Sequence, residues 1–374
     1  MRNQSIRFIA GHPIKTLLLG AAVVAALQIT SASARADDLL MQPSINSSMA
    51  AQSVMLSVAR AGQRLIAVGE RGFIIVSDDN GGNWSQVGSP VSVTLVKVRF
   101  IDDVEGWAVG HGGVVLHTRD GGHSWNKQLD GVQAAEIELQ EAKQVADVPE
   151  DVERREERLA QAQQLVADGP DKPLLDLIFL DAKNGLVVGA YGLAFVTHDG
   201  GRSWQSIRSR IDNPNGLHLY SIERVGGDLF IAGEQGTLLR SSDEGKTFAP
   251  LTSPYEGTTF GLQATNSSSI VAFGLRGKAF ESKDRGDTWQ PLDTLQPVTL
   301  TSGLRLADGS VLLTDESGRV LRFTDGNTRA TVLQIAQPSY FTGMAQAANG
   351  NLIISSARGM LSPAVAVDSP EHDQ

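Results

Sequence analysis

Five aspartates recur in one local context, and they are the first residues here whose type and spacing invite a chemical reading. Ser77-Asp78-Asp79-Asn80-Gly81-Gly82-Asn83-Trp84 has the form Ser/Thr-x-Asp-x-Gly-x-x-Trp, and it returns at 118–125, 197–204, 241–248 and 282–289. The acids are Asp79, Asp120, Asp199, Asp243 and Asp284, and the closing aromatics are Trp84, Trp125, Trp204, Phe248 and Trp289. An Asp-x-Gly run resembles a cation loop, but no copy gathers the several acidic ligands that an EF-hand loop places around calcium. A turn role fits better. The acid accepts nearby backbone N–H groups, the glycine supplies a left-handed conformation, and the aromatic buries its ring against a neighbouring unit. These boxes are read as structural, with no metal.

Other chemistry is thinly represented. The chain of 374 residues has no cysteine, which excludes a thiol nucleophile, thiolate zinc sites, disulfides and a lipid-modified N-terminal cysteine. No paired-carboxylate signature, Ser-His-Asp pattern, phosphate loop or metal-binding histidine cluster is found, so no catalytic residue and no cofactor is assigned. His111 has no second histidine or carboxylate pattern beside it. A net charge of -10 argues against a general nucleic-acid binder, which needs positive surface to displace phosphate counterions.

The elements that position these residues follow from the repeat. The closing aromatics are separated by 41, 79, 44 and 41 residues, so the 79 is one repeat of about 40 carrying an insertion. A decayed sixth copy lies at 323–330, with Asp325 kept and Ala330 in place of the tryptophan. Within each repeat the rhythm is strand, hairpin, strand, hairpin, as in a four-stranded antiparallel meander. The expected fold is all-β: a seven-bladed β-propeller of four-stranded antiparallel blades, at roughly 51–88, 91–130, 171–210, 214–252, 256–293, 297–332 and 338 onward. The seventh blade lacks a box, and a strand from 38–46 or from 363–367 would complete it, the N-terminal one being preferred. Residues 131–170 interrupt the pattern between blades 2 and 3. They are rich in Ala, Glu, Gln and Arg, and predict a helical hairpin of Gln133 to Ala146 and Glu150 to Ala167 that either covers a blade or docks a partner.

Residues 1–36 read as a secretory signal, with Arg2, Arg7 and Lys15 ahead of an apolar run from Leu17 to Ile29 and a small-x-small site at Ala34-Arg35-Ala36. The run is shorter than the roughly 20 residues of a spanning helix. The expectation is cleavage near Ala36, a periplasmic or secreted mature chain without a membrane span, and a single propeller over 37–374.

Such a chain binds with a face. The turns between second and third strands share one surface, opposite the boxes, and present Arg71, His111, Tyr191, Glu234, Gln235, Arg276 and Arg358. Arginine and tyrosine contribute disproportionately at interfaces, so this is the candidate partner-binding face, its arginines suited to an anionic partner. The insertion is expected on the same face. Innermost strands place Ser57, Lys97, Asp176, Ser221, Gly261, Ser302 and Thr342 along a polar channel, with Lys97 and Asp176 on adjacent blades as a candidate pair.

The unit Gly-Trp-Ala-Val-Gly-x-x-Gly-x-Val-Leu-x-Thr-x-Asp-Gly-Gly-x-x-Trp at 106–125 resembles the repeat of the photosystem II stability/assembly factor family of BNR-type propellers, with variants at 185–204 and 229–248. The resemblance covers essentially 51–361. It implies an exported, non-enzymatic assembly chaperone for membrane complexes. The chain is expected to be a monomer whose partner is a protein, such as a membrane complex or an exporter subunit. Without a lipobox cysteine the chain would be soluble. The acidic box alone also resembles that of sialidases, so a glycoside hydrolase is the alternative. That chemistry needs an arginine triad, an activated tyrosine with an acidic partner and an acid/base aspartate. The Arg-Ile-Pro motif of sialidases is absent, and Tyr191, Tyr220, Tyr255 and Tyr340 lie in no recognisable catalytic motif.

Overall fold

Each repeat concentrates its apolar residues on its middle strands because these are covered on both sides. The second strands Gly106–Gly110, Gly185–Gly189, Ile270–Gly274, Val311–Asp315 and Leu352–Ser356 are buried at every position. A strand sandwiched on both faces reads as a continuous apolar run. The computed structural model describes residues 36–145 and 152–363. In it these strands are the second strands of five among seven radially arranged sheets, each paired antiparallel in chain order. Blade 1 runs Met55–Ala61, Arg64–Gly69, Ile74–Ser77 and Ser85–Val87; blade 2 runs Leu95–Phe100, Gly106–Gly110, Val115–Thr118 and Asn126–Leu129. The innermost strands of blades 3 to 7 are Leu174–Phe179, Leu219–Val225, Thr259–Ala264, Leu300–Arg305 and Phe341–Gln346. The seven-bladed, all-β architecture expected from the repeat is what the structure has.

The core is divided among the seven blade boundaries. Trp125 packs with Ile66, Val76 and Val98 between blades 1 and 2, Trp204 with Val109 and Phe195 between 2 and 3, and Phe248 with Leu186 and Ile231 between 3 and 4. Trp289 and Trp84 pack against the boundaries of blades 4/5 and 7/1 and are half-buried. At the boundary of blades 5 and 6 the decayed copy leaves Ala330 beside Phe273 and Phe323.

The boxes repeat one hydrogen-bond pattern. The hydroxyls of Ser77, Thr118, Thr197, Ser241 and Ser282 donate to the first carboxylate oxygen of the box aspartate at 2.7 to 2.9 Å. The same hydroxyls accept the N–H of Gly81, Gly122, Gly201, Gly245 and Gly286. Backbone N–H groups of Asn83, Ser124, Ser203, Thr247 and Thr288 donate to the first oxygen, and their side chains donate to the second. These three donors to each acid therefore all come from its own turn. The Asp79 carboxyl is held at about 2, first by the Asn83 N–H; Ser203 and Thr288 hydroxyls do the same for Asp199 and Asp284. At Asp120 and Asp243 burial pushes upward, but the Ser124 and Thr247 hydroxyls prevail and these acids also titrate at about 2.

Ring closure differs from the sequence expectation. Blade 7 has three strands among the described residues, and residues 38–46 do not supply a fourth. That segment follows helix α1 (Ala36–Met41) along the outer edge of blade 1: Ser92 N–H donates to Leu39 O at 2.9 Å, Ser44 N–H to Ser89 O at 3.0 Å, and Gln86 Nε2 to Ile45 O at 2.7 Å. Leu40 anchors it in the core between blades 1 and 2. The chain then reaches blade 7 as a single turn, Ala50–Gln52, with Ala50 buried between blades 7 and 1. Gly359, at φ 96°, lies so close that a Cβ there would meet Ala51 O at 2.2 Å. The alternative closing segment, 363–367, lies beyond the described residues except Pro363, as does the signal segment except Ala36.

The insertion forms two helices, α2 (Gly131–Val145) and α3 (Val152–Asp168). Ala134, Ala135 and Leu165 join the core between blades 2 and 3. Among the described residues no helix is long and apolar enough to cross a membrane.

Candidate functional site

The turn face is built by one repeated backbone device. After the second strand of blades 1, 3, 4 and 5 the chain turns through two left-handed residues, Arg71-Gly72, Tyr191-Gly192, Gln235-Gly236 and Arg276-Gly277, with the non-glycine member at φ 51 to 57°. Blade 2 uses Gly112-Gly113 at the same place. Arg71, His111, Tyr191, Gln235, Arg276 and Arg358 are exposed and Glu234 is half-buried. Among the described residues, Arg71, Arg276 and Arg358 have no carboxylate within 4.0 Å.

Tyr191 begins an aromatic run that the sequence reading did not assemble. Its ring lies 4.8 Å from His218, which is 6.1 Å from Tyr220, itself 5.1 Å from Phe260. Lys172 Nζ stands 5.1 Å over the Tyr191 ring. Glu234 fixes this run from beside it, accepting the His218 backbone N–H at 2.9 Å and the Tyr220 hydroxyl at 3.4 Å. The contributing residues sit on three blades, so only the ring brings them together.

Behind this face runs the central channel, a cavity of about 830 Å³ lined by all seven innermost strands. Each of those strands carries a register shift near its start, between Met55/Ser57, Leu95/Lys97, Leu219/Ser221, Thr259/Gly261, Leu300/Ser302 and Phe341/Gly343, and opposite Val188/Gly189 in blade 3. The extra residue turns Ser57, Lys97, Asp176, Ser221, Gly261, Ser302 and Gly343 into one column. Gly343, not Thr342, is the seventh member; Thr342 is the bulged residue, and its hydroxyl donates to Met55 O at 2.6 Å across the closure. Side chains in this column tie blade to blade: Ser57 accepts Val98 N–H at 3.3 Å, Asp176 accepts Ile222 N–H at 3.0 Å, and Ser221 accepts Leu262 N–H at 3.2 Å.

The expected Lys97–Asp176 pair is replaced by another. Arg99, two residues further along the strand, takes Asp176 with Nε at 3.2 Å and Nη2 at 2.9 Å, reaches Glu223 with Nη1 at 3.4 Å, and donates to Ile222 O at 3.0 Å. A planar fork satisfies two acids and a carbonyl at once, which a lysine ammonium on a shorter reach cannot. Burial pushes the Asp176 carboxyl up, but Arg99 and then Lys97 pull it below the ordinary carboxylate value. Burial draws the Lys97 amine down, against the pull of Asp176. Arg99 and Glu223 were missed from sequence, although both stand two residues beyond the column positions of their strands and so on the same side.

The insertion hides a second charged group. Glu138 of α2 is fully buried, its Oε1 accepting the Ser206 hydroxyl and its Oε2 without a partner among the described residues. Glu141 pairs with Arg158 of α3 and accepts the Ser209 hydroxyl, and Arg208 donates to Gln161 at 2.9 Å. The helical hairpin thus docks on the outer strand of blade 3 and the turn after it, and it covers a blade as one of the two sequence readings expected.

The sequence pattern of the photosynthesis system II assembly factor YCF48 family matches residues 76–144 and 156–359, well over half the chain. The chain belongs to that family. A curated relative, the photosystem II assembly lipoprotein Ycf48 of Synechococcus sp. (strain CC9902), is 32% identical over 77 residues, 21% of this chain and only 23% of that protein's length. Two solved structures of YCF48 are similar in fold. One, described as bound to D1 peptide, is 17% identical with a TM-score of 0.58, over 85% of this chain and 93% of that one. The other, from Cyanidioschyzon merolae, is 15% identical with a TM-score of 0.60, over 83% and 94%. At such identity these structures speak for the YCF48 fold rather than for its binding residues.

Proposed function

We propose that this propeller is an exported, non-catalytic scaffold that binds a protein partner on its turn face and aids assembly or stability of a membrane-associated complex. The observation that carries the reading is the placing of Arg71, Tyr191 and Arg276 at equivalent left-handed turn positions with their side chains exposed. Holding a non-glycine residue there costs about 1 kcal/mol, and glycine serves the same turn in blade 2. Three arginines without carboxylate partners among the described residues, Arg71, Arg276 and Arg358, offer bidentate bonding to carboxylates of a partner. Tyr191 adds an aromatic anchor at half exposure. His111, Glu234 and Gln235 complete the face. Membership of the YCF48 family supports a protein partner, and the solved relative described as bound to D1 peptide supports a peptide segment as what is gripped.

The test is capture from the exporting cell by crosslinking and pull-down. Replacing Arg71, Arg276 and Arg358 together by Glu abolishes capture of the partner while the melting temperature moves by no more than a few degrees. Undiminished capture would remove the face assignment, and turnover of a fluorogenic sialoside by the wild type would remove the non-catalytic one.

A further inference from the structure

The channel holds more positive charge than its own acids use. Its lining includes Arg60, Lys97, Arg99 and Arg305 against Asp176 and Glu223. Arg99 is consumed by both acids and by the Ile222 carbonyl. Among the described residues the other three cations have no carboxylate within 4.0 Å. They stand on blades 1, 2 and 6, whereas the acids stand on blades 3 and 4. Blade 7, between blades 6 and 1, lines the channel without a charge among its described residues and largely with small ones, among them Gly343, Ala345, Ala347 and Gly350. The unpaired cations and the small-residue lining of blade 7 therefore share one arc. In a chain of net charge -10 such a concentration is not a matter of composition.

The depth of each cation follows from the register. Arg60 pairs with Leu65 and Arg305 with Val311, next to the first hairpin of their blades, and both side chains are exposed at the mouth. Lys97 pairs with Val109 nearer the other end of its strand and is half-buried. The mouth thus opens opposite the turn face. The channel is walled by strands that pair along one edge only, and on the other edge the amides of Val98, Ile222 and Leu262 are taken by Ser57, Asp176 and Ser221. It offers separated side-chain charges, with the amides of Gln263 and Gln346 beside them.

We propose that this arc binds a ligand carrying several carboxylates, with Lys97 taking the deepest and Arg60 and Arg305 those at the mouth. The carboxylates come either from a small polycarboxylate or from the side chains of an acidic peptide entering the mouth.

Isothermal titration with citrate, with an N-acetylated tetra-aspartate peptide and with inorganic phosphate tests this on the full chain. Binding of citrate or the peptide is expected, weakening with salt and at least tenfold weaker in Lys97→Gln and in Arg60→Gln/Arg305→Gln. The double variant changes exposed residues only, so it reports even if Lys97→Gln folds poorly. Citrate without peptide binding identifies the small-molecule source, peptide without citrate the chain source, and both together a site reading the shared group. Absence of both, binding unaffected by the double variant, or phosphate binding as tightly as citrate overturns the proposal. The Arg71, Arg276 and Arg358 variant retains citrate binding, so failure here is distinct from failure of the turn face.

Discussion

Arg99 of blade 2 grips Asp176 of blade 3 with two parallel hydrogen bonds, Nε to Oδ1 at 3.2 Å and Nη2 to Oδ2 at 2.9 Å, across 77 residues of sequence. Asp176 is 2% exposed, so the pair seals the inner edge of the blade 2/3 boundary. Removing one partner of a buried pair leaves an uncompensated charge, at about 3 to 5 kcal/mol. Arg99→Leu is expected to lose that much in urea denaturation. Adding Asp176→Asn, which keeps an acceptor for the Ile222 N–H but removes the charge, is expected to recover part of it. A double variant no more stable than Arg99→Leu would show that the guanidinium acts by packing rather than by charge.

Trp125 is 6% exposed in the core between blades 1 and 2. Trp125→Ala is expected to lower the free energy of unfolding by about 3 to 5 kcal/mol. Arg71→Ala, at an exposed turn apex, is expected to change it by no more than about 0.5 kcal/mol. Similar denaturation midpoints for the two would refute the packing role of the box aromatic.

The box aspartates set a lower pH limit. Their folded pKa of about 2 lies below the ordinary 3.8, so the stability they give is fully present above 3.8 and is lost as pH falls toward 2. The melting temperature is expected to fall most steeply below pH 4. Asp199→Asn should melt lower than wild type at neutral pH and show a shallower acid slope. Parallel curves for the two proteins would contradict the linkage.

Glu138 works in the opposite sense. Burial raises its carboxyl above the ordinary 4.5, opposed by the Ser206 hydroxyl and by Arg208 and Arg158, with Glu141 reinforcing burial. A raised folded value means that docking of the hairpin is strongest in acid and weakens as pH rises from 4.5 through that value. Hydrogen exchange in 131–145 and 152–168, corrected for intrinsic rates, is expected to show protection falling with pH in the wild type and constant protection in Glu138→Gln. Identical pH profiles would exclude Glu138 as the cause.

The box and the hairpin rhythm were legible because each is closed by contacts within a few residues, and the two helices because their Ala-, Glu- and Gln-rich composition favours a helix locally. Asp79 finds its donors between positions 77 and 83, and an eight-residue pattern records that whole set. The turn residues Arg71, Tyr191 and Arg276 were legible for the same reason, since a Gly following them marks the left-handed pair. Lys97 and Asp176 both line the channel, but it is Arg99 that takes the acid. Periodicity gives the side of a strand on which a residue lies, not how far a guanidinium reaches around a ring.

The sequence by itself determined seven blades built on one antiparallel meander, four-stranded in six of them among the described residues, together with the insertion and the face on which the turns emerge, because these depend on hydrogen bonds and alternation local to each blade. Only the tertiary structure decided that Arg99 reaches Asp176 and Glu223, that Glu138 is buried against blade 3, and that residues 39–45 skirt blade 1 and residues 50–52 meet blade 7 as a single turn rather than as a strand. Those outcomes turn on which charge is desolvated beside which, and on where a chain end finds unpaired carbonyls. Ring closure creates both conditions, and no single repeat contains them.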